Sequence, residues 1–355
     1  MTTELEILDA IRGGALSLSP LASELAGVAP QSQGAPDAYV DVRWNGHTFR
    51  VVAELRAKTT PKSFRDAVER VRRVAPASER LPMVISPYLS PERLAELETQ
   101  AVSGLDLCGN GLVIVPNQLL VLRTGSANQH RTGRKIRNVY QGVSSLVARV
   151  FLVKPTYSTV QAVLDEVSAR GGSVSIATVS KVLKVLDEDL IIAREGRASV
   201  LLQGDKLLNQ LEASYRPPRD RVSRKYRWNG PQEDLLSGLV RNSSGAVLTG
   251  AASVERYAVM PRERLIQCYC RSIDVLERAL GDRLEESARF PDLELIATPE
   301  ATVFFDSRAN GVVPVSSPIQ CWLELRAGDK RQRDAAVQVR ERIFSELRAL
   351  GWESP

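Results

Sequence analysis

At 355 residues, with 43% apolar and 25% charged side chains, the chain has the make-up of a folded globular protein and the length for two or three domains with cores of their own. No run approaches the roughly 18 consecutive apolar residues of a membrane span, and the opening residues Met1 to Glu6 carry neither the basic nor the apolar part of an export signal, which predicts a cytoplasmic protein. Cys108, Cys268, Cys270 and Cys321 form no CxxC pair and only His47 and His130 accompany them, which argues against zinc and makes the cysteines small buried apolar residues.

The net charge of +5 is unevenly spread. Arg123, Arg131, Arg134, Lys135 and Arg137 form one acid-free run. Arg216, Arg219, Arg221, Arg224, Lys225 and Arg227 form a second, against Asp220 alone. Each run carries +5, so the rest of the chain carries −5. Such runs are either solvated linkers or phosphate-contacting arms flanking a DNA reader.

Residues 1–125 alternate helix and strand signals, as in an α/β sandwich. Ser19-Pro20, Thr60-Pro61 and Ser90-Pro91 each place a capping residue before a proline and predict a helix start. After Thr60, the residues Phe64, Ala67, Val68 and Val71 recur at helical spacing with Arg65, Arg72 and Arg73 outward. Strand-like runs cover 38–43, 48–56, 82–86, 112–115 and 119–122. Trp44-Asn45-Gly46-His47 is a two-residue hairpin signal, because Asn-Gly accepts the positive φ angles of a type I′ turn. This turn sets Asp37 opposite Glu54, with Glu54, Arg56 and Lys58 on one strand face.

Two facing carboxylates beside a cation suit a magnesium ion acting on a phosphodiester. Pro36-Asp37 followed by Glu54-Leu55-Arg56 resembles the PD-(D/E)xK nuclease family, which implies a restriction-endonuclease-like α/β domain with Asp37 and Glu54 as metal ligands. Arg56 stands where that motif has lysine, and a guanidinium cannot deprotonate water near neutral pH. Lys58 lies one pleat repeat further along the strand. No catalysis, metal or cofactor is therefore expected, and the plain alternative is an ion pair between Glu54 and Arg56. Asp106-Leu-Cys-Gly-Asn-Gly111 before Leu112 to Val115 reads as strand, turn, strand, and resembles a Gly-Asn turn found where a nuclease-like domain precedes a winged helix.

Residues 138–215 read as a winged helix-turn-helix. Ser145 to Lys154 is an apolar helix stopped by Pro155. A second helix runs from Thr159 to Arg170 and turns at Gly171-Gly172, and Ser175 caps a third that runs to about Leu186. On the third helix Ile176, Val179, Leu183 and Leu186 take the core spacing. Ala177, Thr178, Ser180, Lys181 and Lys184 face away, a short polar face suited to a major groove. Two strand-like runs, 190–194 and 198–202, flank a turn at Glu195-Gly196, placing Arg194 and Arg197 on a wing. The module is electrically neutral, with four Lys and four Arg against four Asp and four Glu. DNA affinity would then draw on the two flanking basic runs, with Arg131, Arg134, Lys135 and Arg137 as contact residues; the plain alternative is a protein-interaction module.

Residues 228–355 are again mixed α/β, with a strand at 265–270, a helix at 273–280 and a closing helix at 330–350. Thr249-Gly-Ala-Ala, Ser317-Pro-Ile-Gln320, Trp322-Leu-Glu-Leu325 and Gly328-Asp329 resemble the AbiEi type of transcriptional regulator, the antitoxin of type IV toxin-antitoxin systems. That resemblance implies a repressor of its own operon with a nucleotidyltransferase-like toxin as partner. The expected protein is thus a three-domain, multidomain α/β and α+β regulator that binds double-stranded DNA, as a homodimer if two half-sites are read. The rivals are a magnesium-dependent nuclease using Asp37, Glu54 and Lys58, and a scaffold in defence or plasmid maintenance.

Overall fold

The computed structural model describes residues 3–14, 16, 18–28, 35–76, 80–130, 138–241, 245–260, 264–309 and 313–353. The chain is mixed α/β and divides into two compact units, 1–135 and 136–355. Among the described residues, no helix is long and apolar enough to cross a membrane.

The first unit is a seven-stranded sheet whose strands lie in chain order. Its elements are α1 (Glu4–Arg12), β1 (Ala22–Val28), β2 (Ala38–Trp44), β3 (His47–Leu55), α2 (Pro61–Val74), β4 (Leu81–Ser86), α3 (Pro91–Thr99), β5 (Ser103–Asp106), β6 (Gly111–Val115) and β7 (Leu119–Arg123). Strands β3, β4 and β5 run parallel; the outer pairs are antiparallel. The period of two in β3 and β4 sends Val51, Ala53, Leu55, Met83 and Ile85 to a core shared with Ile7 and Ile11 of α1. It sends Val52 and Val84 to the other face, under Phe64, Val68 and Val71 of α2 and Leu94 and Leu97 of α3. Thr60 and Ser90 cap α2 and α3 as their Pro-flanked positions predict.

Ser19-Pro20 does not start a helix. Leu18 and Leu21 close a tight turn there, with both side chains buried, and the chain runs into β1. The Asn45-Gly46 hairpin has the expected register: Trp44 pairs with His47 and Ala38 with Ala53, and both turn residues take positive φ. Strand β3 ends at Leu55, earlier than its sequence suggests, because the chain must turn to reach the cap at Thr60.

Asp106 closes the far end of the parallel strands. Its buried carboxylate accepts the backbone N–H groups of Leu89, Cys108 and Asn110 at 2.8–2.9 Å, and the Asn110 side-chain amide at 2.7 Å. Asn110 in turn bonds Ser126 through both its amide atoms.

The second unit opens with α4 (Ser144–Val150), β8 (Thr156–Tyr157), α5 (Val160–Ala169), α6 (Ile176–Glu188), β9 (Ile192–Glu195), β10 (Ala198–Leu201) and α7 (Gly204–Ser214). Helices α4, α5 and α6 pack on one another beside a three-stranded sheet ordered β8-β10-β9. The unit continues with β11 (Val222–Trp228), α8 (Gln232–Arg241), β12 (Val247–Thr249), α9 (Ala251–Val254), β13 (Ile266–Cys270), α10 (Ile273–Leu280), β14 (Leu284–Glu286), β15 (Leu293–Ala297), α11 (Pro318–Arg326) and α12 (Lys330–Ala349). Its five-stranded sheet has the order β12-β13-β15-β11-β14. Cys268 and Cys270 are buried in it and, like Cys321, unbridged. Burial pushes the Cys321 thiol up to about 12.

One core runs through both parts of this unit: Leu146 and Val147 of α4, Phe151 just after it, and Leu207, Leu208 and Leu211 of α7 share it with Trp322 of α11 and Ile343, Phe344 and Leu347 of α12. Trp352 donates from its indole N–H to Leu201 O at 3.2 Å. The second basic run is a linker only in its first half, up to Arg221. Residues 222–228 form β11, in which Lys225 lies opposite Glu294 and Arg227 opposite Glu285.

Substituting Asp106→Ala would leave four N–H donors without their acceptor. The expected outcome is a loss of about 2–4 kcal/mol of protection in β5 and β6 by hydrogen exchange. Unchanged exchange across 103–115 would show that the carboxylate is dispensable.

Candidate functional sites: a carboxylate pair and a basic helix face

In the first unit, the hairpin brings Asp37 beside the end of β3. Asp37 N donates to Ala53 O, and its Oδ2 accepts Leu55 N at 2.9 Å. The guanidinium of Arg56 bridges the two acids, with Nη1 3.1 Å from Asp37 Oδ2 and Nη2 2.8 Å from Glu54 Oε2. Arg70 of α2 approaches from the other side, Nε 3.2 Å from Glu54 Oε1. The acids therefore face a protein cation where a bridging divalent ion would have to sit. Among the described residues, no cluster of three or more His, Cys, Asp or Glu has the makings of a metal site.

Glu54 is wholly buried, and its pKa is pushed up to about 7. Burial is the main cause and the neighbouring Asp37 charge the next, while Arg56 and Arg70 pull the other way. Lys58 does not join the cluster. It is exposed beyond the end of β3, and its carbonyl accepts the hydroxyl of Ser63 at 2.7 Å at the start of α2. The strand-face expectation for Lys58 fails because the strand ends at Leu55.

In the second unit, Ser175 caps α6 by accepting Thr178 N at 3.2 Å. Gly171, at φ 78°, reverses the chain between α5 and α6 in a conformation that costs a side-chain-bearing residue more. Val179, Val182, Leu183 and Leu186 are buried, whereas Ile176 is 49% exposed. The expected core position at Ile176 is therefore not taken up, and Val182, which the sequence pattern left out, is buried instead. Ser175, Ser180, Lys181 and Lys184 are exposed and Thr178 is half-buried.

The turn between β9 and β10 is Gly196-Arg197, one residue later than Glu195-Gly196, with Ala198 paired to Glu195. Arg197 is thus in the turn and Arg194 on β9 opposite Ser199, both exposed. Among the described residues, no ion pair engages Lys181, Lys184, Arg194 or Arg197. Arg131, Arg134, Lys135 and Arg137 lie outside the described residues.

The electrical neutrality of 138–215 hides a sorting of its charges. Arg149 is buried, and Arg170 is tied to Glu166 and to Asp306 from the later part of the unit. On α6 the lysines precede the acids Asp187 and Glu188, which occupy the C-terminal end.

Comparison with protein-family models, with curated proteins and with solved structures gives no match for this chain.

A carboxyl whose pKa is raised in the fold is stabilised there in its neutral form. Glu54 therefore supports the fold fully below its ordinary value of 4.5, and this support is lost as pH rises through about 7. Stability of the wild type should fall between these limits by up to about 3 kcal/mol relative to Glu54→Gln. Parallel stability curves for the two proteins would mean that the arginines fully offset the burial.

Proposed function

We propose that the chain is a duplex-DNA-binding regulator of the AbiEi-like class, in which residues 138–215 act as a winged helix. Helix α6 is its recognition helix and the β9–β10 hairpin its wing. The observation that carries this reading is the pairing of two unengaged cation sets on one small scaffold: Lys181 and Lys184 on the outer face of α6, Arg194 and Arg197 on the hairpin. Recognition helices present their N-terminal residues to base edges. The leading turns of α6 offer Ser175, Thr178, Ser180 and the two lysines, while its acids sit at the end that would lie away from the groove. A helix N-terminus also carries the positive end of its dipole toward the phosphates. Reading two half-sites would make the regulator a homodimer, and as an antitoxin it would have a nucleotidyltransferase-like toxin as its genetic partner.

In this reading the first unit is a restriction-endonuclease-like domain that has lost its chemistry. The support is Arg56: it holds both acids in ion pairs, so a magnesium ion would have to displace a cation the protein already supplies. Neither Arg56 nor the distant, exposed Lys58 is placed to activate a water there.

Gel shifts on duplexes enriched from a random pool test the DNA reading. Lys181→Ala with Lys184→Ala should cost about 1–3 kcal/mol of affinity at fixed salt. Arg194→Ala with Arg197→Ala should flatten the plot of log affinity against log salt by up to about 0.9 for each phosphate no longer neutralised. If both double variants bind as the wild type does, α6 and the hairpin are not the reading surface.

Incubation of supercoiled, linear and single-stranded DNA with magnesium or manganese should give no cleavage. Nicking by the wild type that disappears in Glu54→Ala would put the nuclease first.

A further inference from the structure

Arg149 sits on α4 at 4% exposure, and no carboxylate lies within ion-pair distance of it among the described residues. Its Nη1 donates to Thr302 O at 3.1 Å and to Gln320 Oε1 at 3.0 Å. The buried Nε has no partner among the described residues. With Nη1 occupied, the edge left over is the side-on fork of Nε and Nη2, the one that matches the two oxygens of a carboxylate or phosphate.

The same side chain forms part of the wall of a cavity of about 600 Å³ inside the second unit. This volume is in the range of small-molecule sites. Arg216 and Arg219 also line it, together with Ser144, Tyr140 and Tyr215. Among the described residues the one acid on the wall, Glu300, is already engaged, its Oε1 accepting Arg219 N at 3.0 Å. The lining thus counts three arginines against one acid, with Arg216 Nη1 donating to the carbonyls of Ala213 and Tyr215. Burial lowers the Arg149 pKa to about 10, which still leaves it charged at neutral pH.

We infer that this cavity binds a small oxyanion, a carboxylate or phosphate group gripped by the free edge of Arg149, with Arg216 and Arg219 completing its charge balance. No carboxylate pairs directly with this buried guanidinium, Glu324 acting on it only from beyond Gln320, and an anionic ligand that enters the cavity lowers the remaining cost. The site lies on the start of α4, the end of α7 and the turn before residue 303, not on the outer face of α6. It does not depend on the DNA reading.

The test is calorimetric titration of the full chain with inorganic phosphate and, separately, with acetate. Saturable binding of at least one is expected, and the preferred probe tells a phosphate site from a carboxylate site. Arg149→Lys keeps a charge but loses the fork, and should weaken binding at least about tenfold. Because a core substitution can unfold the protein, Arg216→Ala with Arg219→Ala provides a second arm on side chains near solvent, and should weaken the same probe several-fold. Lys181→Ala with Lys184→Ala should leave it unchanged, which separates this site from anions attracted to the proposed DNA surface. Absence of saturable binding by either probe overturns the inference. So does binding that survives undiminished in the Arg216 and Arg219 double variant and in a folded Arg149→Lys.

Discussion

Sinking a guanidinium into an apolar core costs several kcal/mol unless its donors are met, and in the second unit distant parts of the chain converge to meet those at Nη1 of Arg149. The residues that do so come from far along the chain. Gln320 accepts from Arg149 and passes the connection on through its amide to Glu324 at 2.7 Å. Glu324 is itself buried, and burial raises its pKa. Its other oxygen accepts the N–H of Gly250 at 3.0 Å and the hydroxyl of Thr249. A continuous polar thread therefore runs from α4 through α11 to the edge strand β12. Such a network rigidifies a core only while every member is present, and losing one exposes the others to the full cost of burial.

That thread accounts for the short motifs of the last third of the chain in physical terms. Thr249, Gly250, Gln320 and Glu324 belong to segments that look unremarkable singly and meet in space. Gly250 has a positive φ of 57°, and a Cβ there would come within 2.3 Å of Gln267 Oε1. Glycine at this position keeps the backbone close enough for its N–H to reach Glu324.

What the sequence makes legible is local. The Asn45-Gly46 turn with its alternating flanks determines the register that brings Asp37 to Glu54. Hydroxyl caps and the 3.6-residue period locate α2, α3, α5 and α6. Helix α1 is a signal overlooked, since Thr3 and Glu6 form a capping box that the sequence displays. Strand β11 is illegible for a different reason. Its Arg and Lys residues look like a solvated linker until the facing acids Glu294 and Glu285 are known, and these lie about 60 to 70 residues later in the sequence. Arg149 belongs to the same class: its partners are 153 and 171 positions away, and no local pattern marks a buried cation. The early end of β3, which removes Lys58 from the acid pair, follows from a chain reversal that a period-two count does not register.

The shared core of the second unit also bears on how this protein can change over generations. A small helical module can be exchanged between genes as a cassette only if it keeps its apolar residues to itself. Here Leu207, Leu208 and Leu211 share their core with side chains from α11 and α12, so a gene segment ending after α7 would code for a module with an open flank. Transfer of that segment alone therefore costs the burial of its α7 leucines. The outer positions of α6, by contrast, stand outside that core and are free to vary one codon at a time. Changing the chemistry of that surface asks for point substitutions alone, whereas moving the module asks for the α11 and α12 side of its core as well.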